Sequence, residues 1–472
     1  MRTLYRHKKS ESVPRQAVIS RVYLLPDLKV EKTWLRKADS CFQRKRFRRA
    51  FIAYNRVLRS NPENAAAWTG KGNFLYHARK FDKALACYTR SLACDRHLAA
   101  AWVGKGATLL MLGQTDEALV CIEEALRLEP ENILALIALG DILCALSRHE
   151  EALDAFSRAV AIAPDNIYAH NRRGTVLCSL HRYTEALPSF DRCIHLCPGE
   201  YMFHYNRGSA LAALGYFEQA LAAYEHCLSL APEDAEAHNN RGNVLVRLGR
   251  YHLAMEAYEQ AIALAPTKSA FQANRAELLA LLGSYEASLM AWDEVIALAP
   301  HTAQYHQWKG TVLAHLERYQ EALQSYKHAL FLDPDDAGTF IKEAKACLHL
   351  GHDLDALVAS ARAVKLAPAN IAAYITLGVA LRRMGCPREA LIAYEIALRL
   401  DVSNEAVYCG IGDILWDMGR FDEAMVLYRL NGLHPIRKIK KPEQLYHWGE
   451  THRLQIVARV LGRSSFIQQV EA

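Results

Sequence analysis

His238, Asn239, Asn240 and Arg241 stand in a row before Gly242. An imidazole can hold a metal or move a proton, amides can fix an oxyanion, and a guanidinium can grip a carboxylate or phosphate. A second candidate is CIHLC, Cys193 to Cys197, with two thiols and an imidazole close together, the ligand types of a zinc site. A third is RKRFRR, Arg44 to Arg49, five cations in six residues, an electrostatic footprint for a polyanion. Each works only if its scaffold brings the groups together, so the elements that carry them decide.

Composition limits those elements. The chain has 472 residues, 51% hydrophobic and 23% charged, close to the average for globular proteins. No apolar run approaches the ~18 residues of a membrane span. Val22 to Leu25 is too short for the core of a signal peptide, which leads to the expectation of a cytoplasmic protein, although a basic, acid-poor start also fits a transit peptide. Twelve cysteines without framework spacing read as reduced thiols.

A repeat underlies everything else. Prolines fall at Pro62, Pro130, Pro164, Pro198, Pro232, Pro266, Pro300, Pro334 and Pro368, 34 residues apart except for a first gap of twice that, whose skipped place holds Arg96. Starting each unit three residues past this place gives Glu31, Ala65, Ala99, Ile133, Ile167, Tyr201, Ala235, Ser269, Ala303, Ala337, Ile371 and Glu405, twelve units over residues 31–438. Position 8 is glycine in nine copies and alanine in three, and position 11 is leucine in ten. Position 20 is alanine in eleven, with Ser288 the exception, and position 24 is aromatic in ten.

Positions 4, 8 and 11 form one stripe of a first helix, and 20, 24 and 27 one stripe of a second. Small residues at 8 and 20 let the two helices approach, with the aromatic at 24 filling the space beside them. Glycine at position 15 (Gly113, Gly215, Gly249, Gly283, Gly351, Gly385, Gly419) caps the first helix, and proline at position 32 ends the second. Pro188, inside a second helix, is expected to bend it. A 34-residue unit is below the ~40 residues that fold unaided, so neighbours must stack.

This pattern at this period resembles the tetratricopeptide repeat (TPR) family. The resemblance implies an all-α, right-handed superhelical solenoid of antiparallel helix pairs, with positions 2, 5, 6, 9, 12 and 13 of the first helices lining a concave ligand groove. His170, His204, His238 and His306 share position 4 with Trp34, Trp68 and Trp102, so the histidines read as packing residues and not as a metal cluster. Cys193 and Cys227 hold the small position 27, which makes CIHLC packing too. Position 7 is basic in eight copies and position 25 acidic in five of those. That pairs Lys105 with Glu123, Arg173 with Asp191, Arg207 with Glu225, Arg241 with Glu259 and Arg275 with Asp293 as ion pairs within each repeat.

The groove positions turn asparagine-rich in repeats five to eight: Asn171 and Arg172, then Asn206, then Asn239, Asn240 and Asn243, then Asn274. Asn206, Asn240 and Asn274 share position 6. Amides donate and accept, so such a row suits the backbone of an extended peptide. The row is similar to the asparagine ladder in the TPR region of O-linked N-acetylglucosamine transferase, here limited to three repeats by Arg172 and Trp308. The carboxylate clamp of chaperone-binding TPR proteins is not matched, because Asn239, Gln304 and Trp308 stand where it needs cations.

Residues 1–60 carry 17 Lys and Arg against four Asp and Glu, a basic head on a mildly acidic remainder, read first as a solvated end of the stack kept soluble by charge. The layout is a basic segment (1–30), twelve TPR units (31–438), and a basic linker with a capping helix (439–472). That helix would put Leu445, Trp448, Ile456 and Val460 on one face. Neither flank is large enough for a catalytic domain. The expectation is a non-enzymatic scaffold without cofactor, metal or membrane, binding a protein or peptide in its groove. Alternatives are nucleic-acid or acidic-partner binding through the basic head, or targeting of a separately encoded enzyme.

Overall fold

The computed structural model describes residues 28–44 and 46–430. Among them are 24 α-helices and no strand. They fall into two compact units, divided between Leu214 and Gly215, inside the sixth repeat.

The first unit comprises α1 (Leu28–Gln43), α2 (Phe47–Ser60), α3 (Ala65–His77), α4 (Phe81–Cys94), α5 (Ala99–Met111) and α6 (Thr115–Leu128). It continues with α7 (Ile133–Ala145), α8 (His149–Ile162), α9 (Ile167–Ser179), α10 (Tyr183–Leu196) and α11 (Tyr201–Ala213). The second holds α12 (Phe217–Leu230), α13 (Ala235–Arg247), α14 (Tyr251–Leu264), α15 (Ser269–Leu281), α16 (Tyr285–Leu298), α17 (Ala303–His315) and α18 (Tyr319–Leu332). It ends with α19 (Ala337–Leu350), α20 (Asp353–Leu366), α21 (Ile371–Arg383), α22 (Pro387–Leu400), α23 (Glu405–Asp417) and α24 (Phe421–Leu430). Within each unit consecutive helices pack, and most first helices also touch the next first helix. The core is accordingly a string of local clusters.

Helix α1 begins at Leu28, three residues ahead of the boundary set by the repeat register. The predicted capping helix and the segment before residue 28 lie outside the described residues. No described helix is long and apolar enough to cross a membrane. Helix α10 runs unbroken through Pro188.

Close approach inside a pair is set by positions 8, 20 and 24. The alanines at position 20, Ala84 and Ala254 among them, have no exposed surface. A methyl group on Gly140, Gly174 or Gly242 would sit 2.5 to 2.6 Å from the ring of Phe156, Phe190 or Tyr258. Each ring is buried, worth about 2 kcal/mol or more. In repeat ten the aromatic is replaced by Ser360, and position 8 is there Ala344, both fully buried.

Turns are equally regular. The seven position-15 glycines have φ between 72° and 80°, and the same place holds Arg79, Ser147, His181 and Glu317 at φ 55° to 60°. Left-handed backbone there reverses the chain whether or not glycine supplies it. Six first helices are capped by a side chain one residue before the start: Asn64, Asn132, Asn166, Asp234, Asp336 and Asn370, each worth roughly 1 kcal/mol.

Position 4 carries a side-chain donor in most repeats, Leu136 and Phe340 being exceptions. Trp68 Nε1 donates to the carbonyl of Pro62 (2.8 Å), Trp102 Nε1 to Arg96 (2.9 Å) and Gln272 Nε2 to Pro266 (3.1 Å). His170 and His306 Nε2 lie 3.0 and 2.9 Å from the Pro164 and Pro300 carbonyls. A carbonyl only accepts, so these rings are protonated on Nε2. His238 of the opening cluster makes the same contact, 3.0 Å from the Pro232 carbonyl, and so ties its first helix to the preceding turn.

The expected ion pairs inside each repeat are corrected by one register. Arg207 Nε meets Asp191 Oδ1 at 2.7 Å and Lys309 Nζ meets Asp293 at 2.6 Å, with Arg241 and Glu225 looser at 3.9 Å. Each cation reaches position 25 of the preceding repeat, because a first helix packs on that second helix as well as on its own. Arg275 differs, pairing with Glu294 of its own repeat at 2.9 Å. Lys37, Lys71 and Lys105 instead lie over Trp34, Trp68 and Trp102, 4.7 to 5.5 Å from the ring centres.

Candidate peptide-binding face

In the first unit, α9 and α11 present the first half of the asparagine run. Asn206 Nδ2 donates to Asn171 Oδ1 at 3.0 Å, linking position 6 of one repeat to position 5 of the one before. Both side chains are half-buried. Beside them the Arg172 guanidinium donates to Asp141 Oδ1 at 2.7 Å, and the Tyr168 hydroxyl donates to Asp141 Oδ2 at 2.9 Å. Burial opposes the charge on Arg172, but Asp141 outweighs it and holds the guanidinium pKa above its usual value. Burial and then Asp141 push the Tyr168 phenol up to about 12. Burial likewise raises Tyr76, with Asp141 contributing. Arg172 also covers the Phe156 ring at 5.7 Å.

Three position-2 residues of this unit, Leu134, Tyr168 and Met202, are 68%, 51% and 40% exposed. Reading position 2 down the repeats would have found this apolar row, because the corresponding residues in repeats two and three are Ala66 and Ala100. Asp141, the hub of the polar contacts, stands at position 9 and was equally visible by column.

In the second unit, Asn274 Nδ2 donates to Asn239 Oδ1 at 2.8 Å, again position 6 to the preceding position 5. Asn239 is only 6% exposed, so it braces its neighbours more than it offers itself to a ligand. Its Nδ2 is 3.4 Å from Asn240 Oδ1. Asn243 accepts the Tyr258 hydroxyl at 2.7 Å, one instance of a rule repeated at Tyr54 with Asp39 and Tyr88 with Asn73. The amides therefore form diagonal pairs between neighbouring helices where sequence reasoning drew a single column. Trp308 ends the run, stacked 3° from parallel on Trp292 and overlaid by Lys342 at 5.3 Å. Burial lowers the Lys342 pKa despite Asp336, and burial raises Glu277.

The CIHLC candidate resolves as packing. Cys193 is buried, its thiol donates to the Ile167 carbonyl at 3.4 Å, and burial pushes its pKa up to about 12. Among the described residues no group of three or more His, Cys, Asp and Glu side chains could hold a metal.

Family models of the tetratricopeptide repeat match residues 35–99, 171–226, 273–337 and 375–430, together more than half of the chain. Further tetratricopeptide models match 235–268 and 208–249, and the middle TPR-like domain of cilia and flagella-associated protein 70 matches 77–189. No curated protein matches the chain. Among solved structures, YrrB, described as a TPR protein with an unusual peptide-binding site, is 28% identical over 39% of this chain and 95% of its own, TM-score 0.34. Yeast Tom70 is 13% identical over 85% and 97%, TM-score 0.41. MamA from Desulfovibrio magneticus RS-1 is 24% identical over 36% and 96%, TM-score 0.35. By its family-model matches, this chain belongs to the tetratricopeptide repeat family.

Proposed function

We propose that the protein is a non-enzymatic scaffold that holds an extended peptide segment of a partner protein against its asparagine-bearing first helices, those of repeats five and six in the first unit or those of repeats seven and eight in the second. The observation that carries this reading is the pair of amide bridges, Asn171–Asn206 and Asn239–Asn274. Each bridge fixes the rotamer of a position-6 amide that stays half-buried. One bond uses one of the four hydrogen-bonding sites on that amide, so capacity for a peptide backbone is left over. In the first unit Leu134, Tyr168 and Met202 add an exposed apolar row for alternate side chains, and the Arg172–Asp141 pair adds polar contacts.

The test is capture of a peptide library by the full chain and by a variant carrying Asn206→Ala, Asn240→Ala and Asn274→Ala. Affinity falls by about tenfold or more, as expected for several lost hydrogen bonds, with the melting temperature little changed. Equal capture by the two proteins removes this face as the binding site.

A further inference from the structure

The first repeat carries a cleft unlike any part of the asparagine face. It has a volume of about 490 Å³, and its lining includes Trp34, Lys37, Ser40, Arg44, Arg46 and Arg49. Four of those six are cations, three from the turn and the start of α2 and one from α1. Among the described residues no carboxylate lines it. Asp39, one helix position away, has Oδ1 engaged by the Tyr54 hydroxyl at 2.7 Å.

The surroundings sharpen the sign of the charge. The first turn of α2 holds no acidic residue, whereas α4, α6, α8 and α10 each place one or two there. Arg46 is the N-cap residue of α2 and makes no side-chain cap hydrogen bond, so the positive end of the helix adds to the field of the side chains. Cations gathered in a concave site without counter-charge raise each other's energy, and an anion in the cleft removes that cost. The volume lies within the range of small-ligand sites, about 300–1,000 Å³.

We infer that this cleft of Lys37, Arg44, Arg46 and Arg49 is a phosphate-binding site, and that its ligand is a phosphorylated side chain of a partner protein. Guanidinium groups match phosphate oxygens through paired N–H donors, and an arginine cluster is the usual reader of a phosphorylated motif. Ser40 supplies a hydroxyl donor. Single-stranded nucleic acid is disfavoured because it needs an open aromatic face for its bases. The aromatic ring of the cleft, Trp34, already carries the Lys37 ammonium at 4.7 Å and the Arg56 guanidinium at 4.3 Å.

The experiment titrates the full chain with a short acid-free fluorescent peptide bearing one phosphoserine, with its unphosphorylated form, and with a single-stranded oligonucleotide. Inorganic phosphate serves as competitor. The phosphopeptide binds at least about tenfold more tightly than the unphosphorylated form, phosphate displaces it, and Arg46→Gln with Arg49→Gln abolishes the difference. Both arginines are exposed, and a thermal melt verifies that the variant is folded. Equal binding of the two peptides overturns the inference, as does a phosphopeptide affinity unchanged in the variant. Tighter binding of the oligonucleotide with the same arginine dependence assigns the cleft to nucleic acid instead. The triple asparagine variant keeps phosphopeptide binding, so failure here and failure of the peptide face are separable.

Discussion

The Lys309 ammonium and the Asp293 carboxylate join two repeats, Nζ to Oδ1 at 2.6 Å. Asp293 belongs to α16 and Lys309 to the following first helix, α17, so the pair fastens one repeat to the next and does not brace a repeat internally. The side chains are 28% and 57% exposed, and screening holds such a pair to about 0.5 kcal/mol. A double-mutant cycle on Lys309 and Asp293 gives a coupling of that order. The same cycle on Arg275 and Asp293, partners by the sequence register, gives a coupling near zero. A larger value for the second cycle restores pairing within the repeat.

Position 15 yields a stability prediction from backbone conformation alone. Glu317 has φ 59° and makes the turn that glycine makes in its neighbours, for example Gly283 at φ 75°. A side chain in left-handed backbone costs roughly 1–2 kcal/mol, partly offset by the greater flexibility of glycine in the unfolded chain. Glu317→Gly therefore stabilises the protein by up to about 1 kcal/mol, and Gly283→Ala destabilises it by a similar amount. Chemical denaturation of the two variants checks both signs.

That turn also marks what was legible in the sequence. The period, the helix pairs, and the roles of positions 8, 15, 20 and 24 follow from residue type because each answers a local steric demand. At Gly242 the demand is direct, because a methyl group there would sit 2.5 Å from the Tyr258 ring. The polar partners were less legible. Arg207 reaches Asp191 and Asn274 reaches Asn239 across a repeat boundary, and a column-by-column reading does not say which neighbour a long side chain turns toward. The histidines were assigned to packing by analogy with tryptophan, but the shared property is a ring N–H aimed at one carbonyl. Gln272 and Tyr408 meet the same demand without being aromatic in one case or nitrogenous in the other.

Burial at position 4 makes two of these histidines a source of pH dependence. His306 is 9% exposed, and burial lowers its pKa more than the Pro300 carbonyl raises it. His328 and Lys309 add repulsion to the charged form. At His170 burial again dominates, the Pro164 carbonyl opposes it, Arg173 and Arg192 add to it, and Asp165 acts the other way. Each folded pKa thus lies below the unfolded value of about 6.5. Above that value both states are neutral and the stabilisation is complete. As pH falls below it the unfolded chain takes up protons that the folded one resists, so stability is lost until the folded pKa is passed. Replacing His306 by glutamine keeps an N–H donor at position 4, as Gln272 shows with Pro266, and removes the titration. Between roughly pH 7 and pH 5 the His306→Gln protein loses less stability than the parent, and adding His170→Gln flattens the profile further. Parallel profiles for parent and double variant would mean that these rings are not what the acid limb reports.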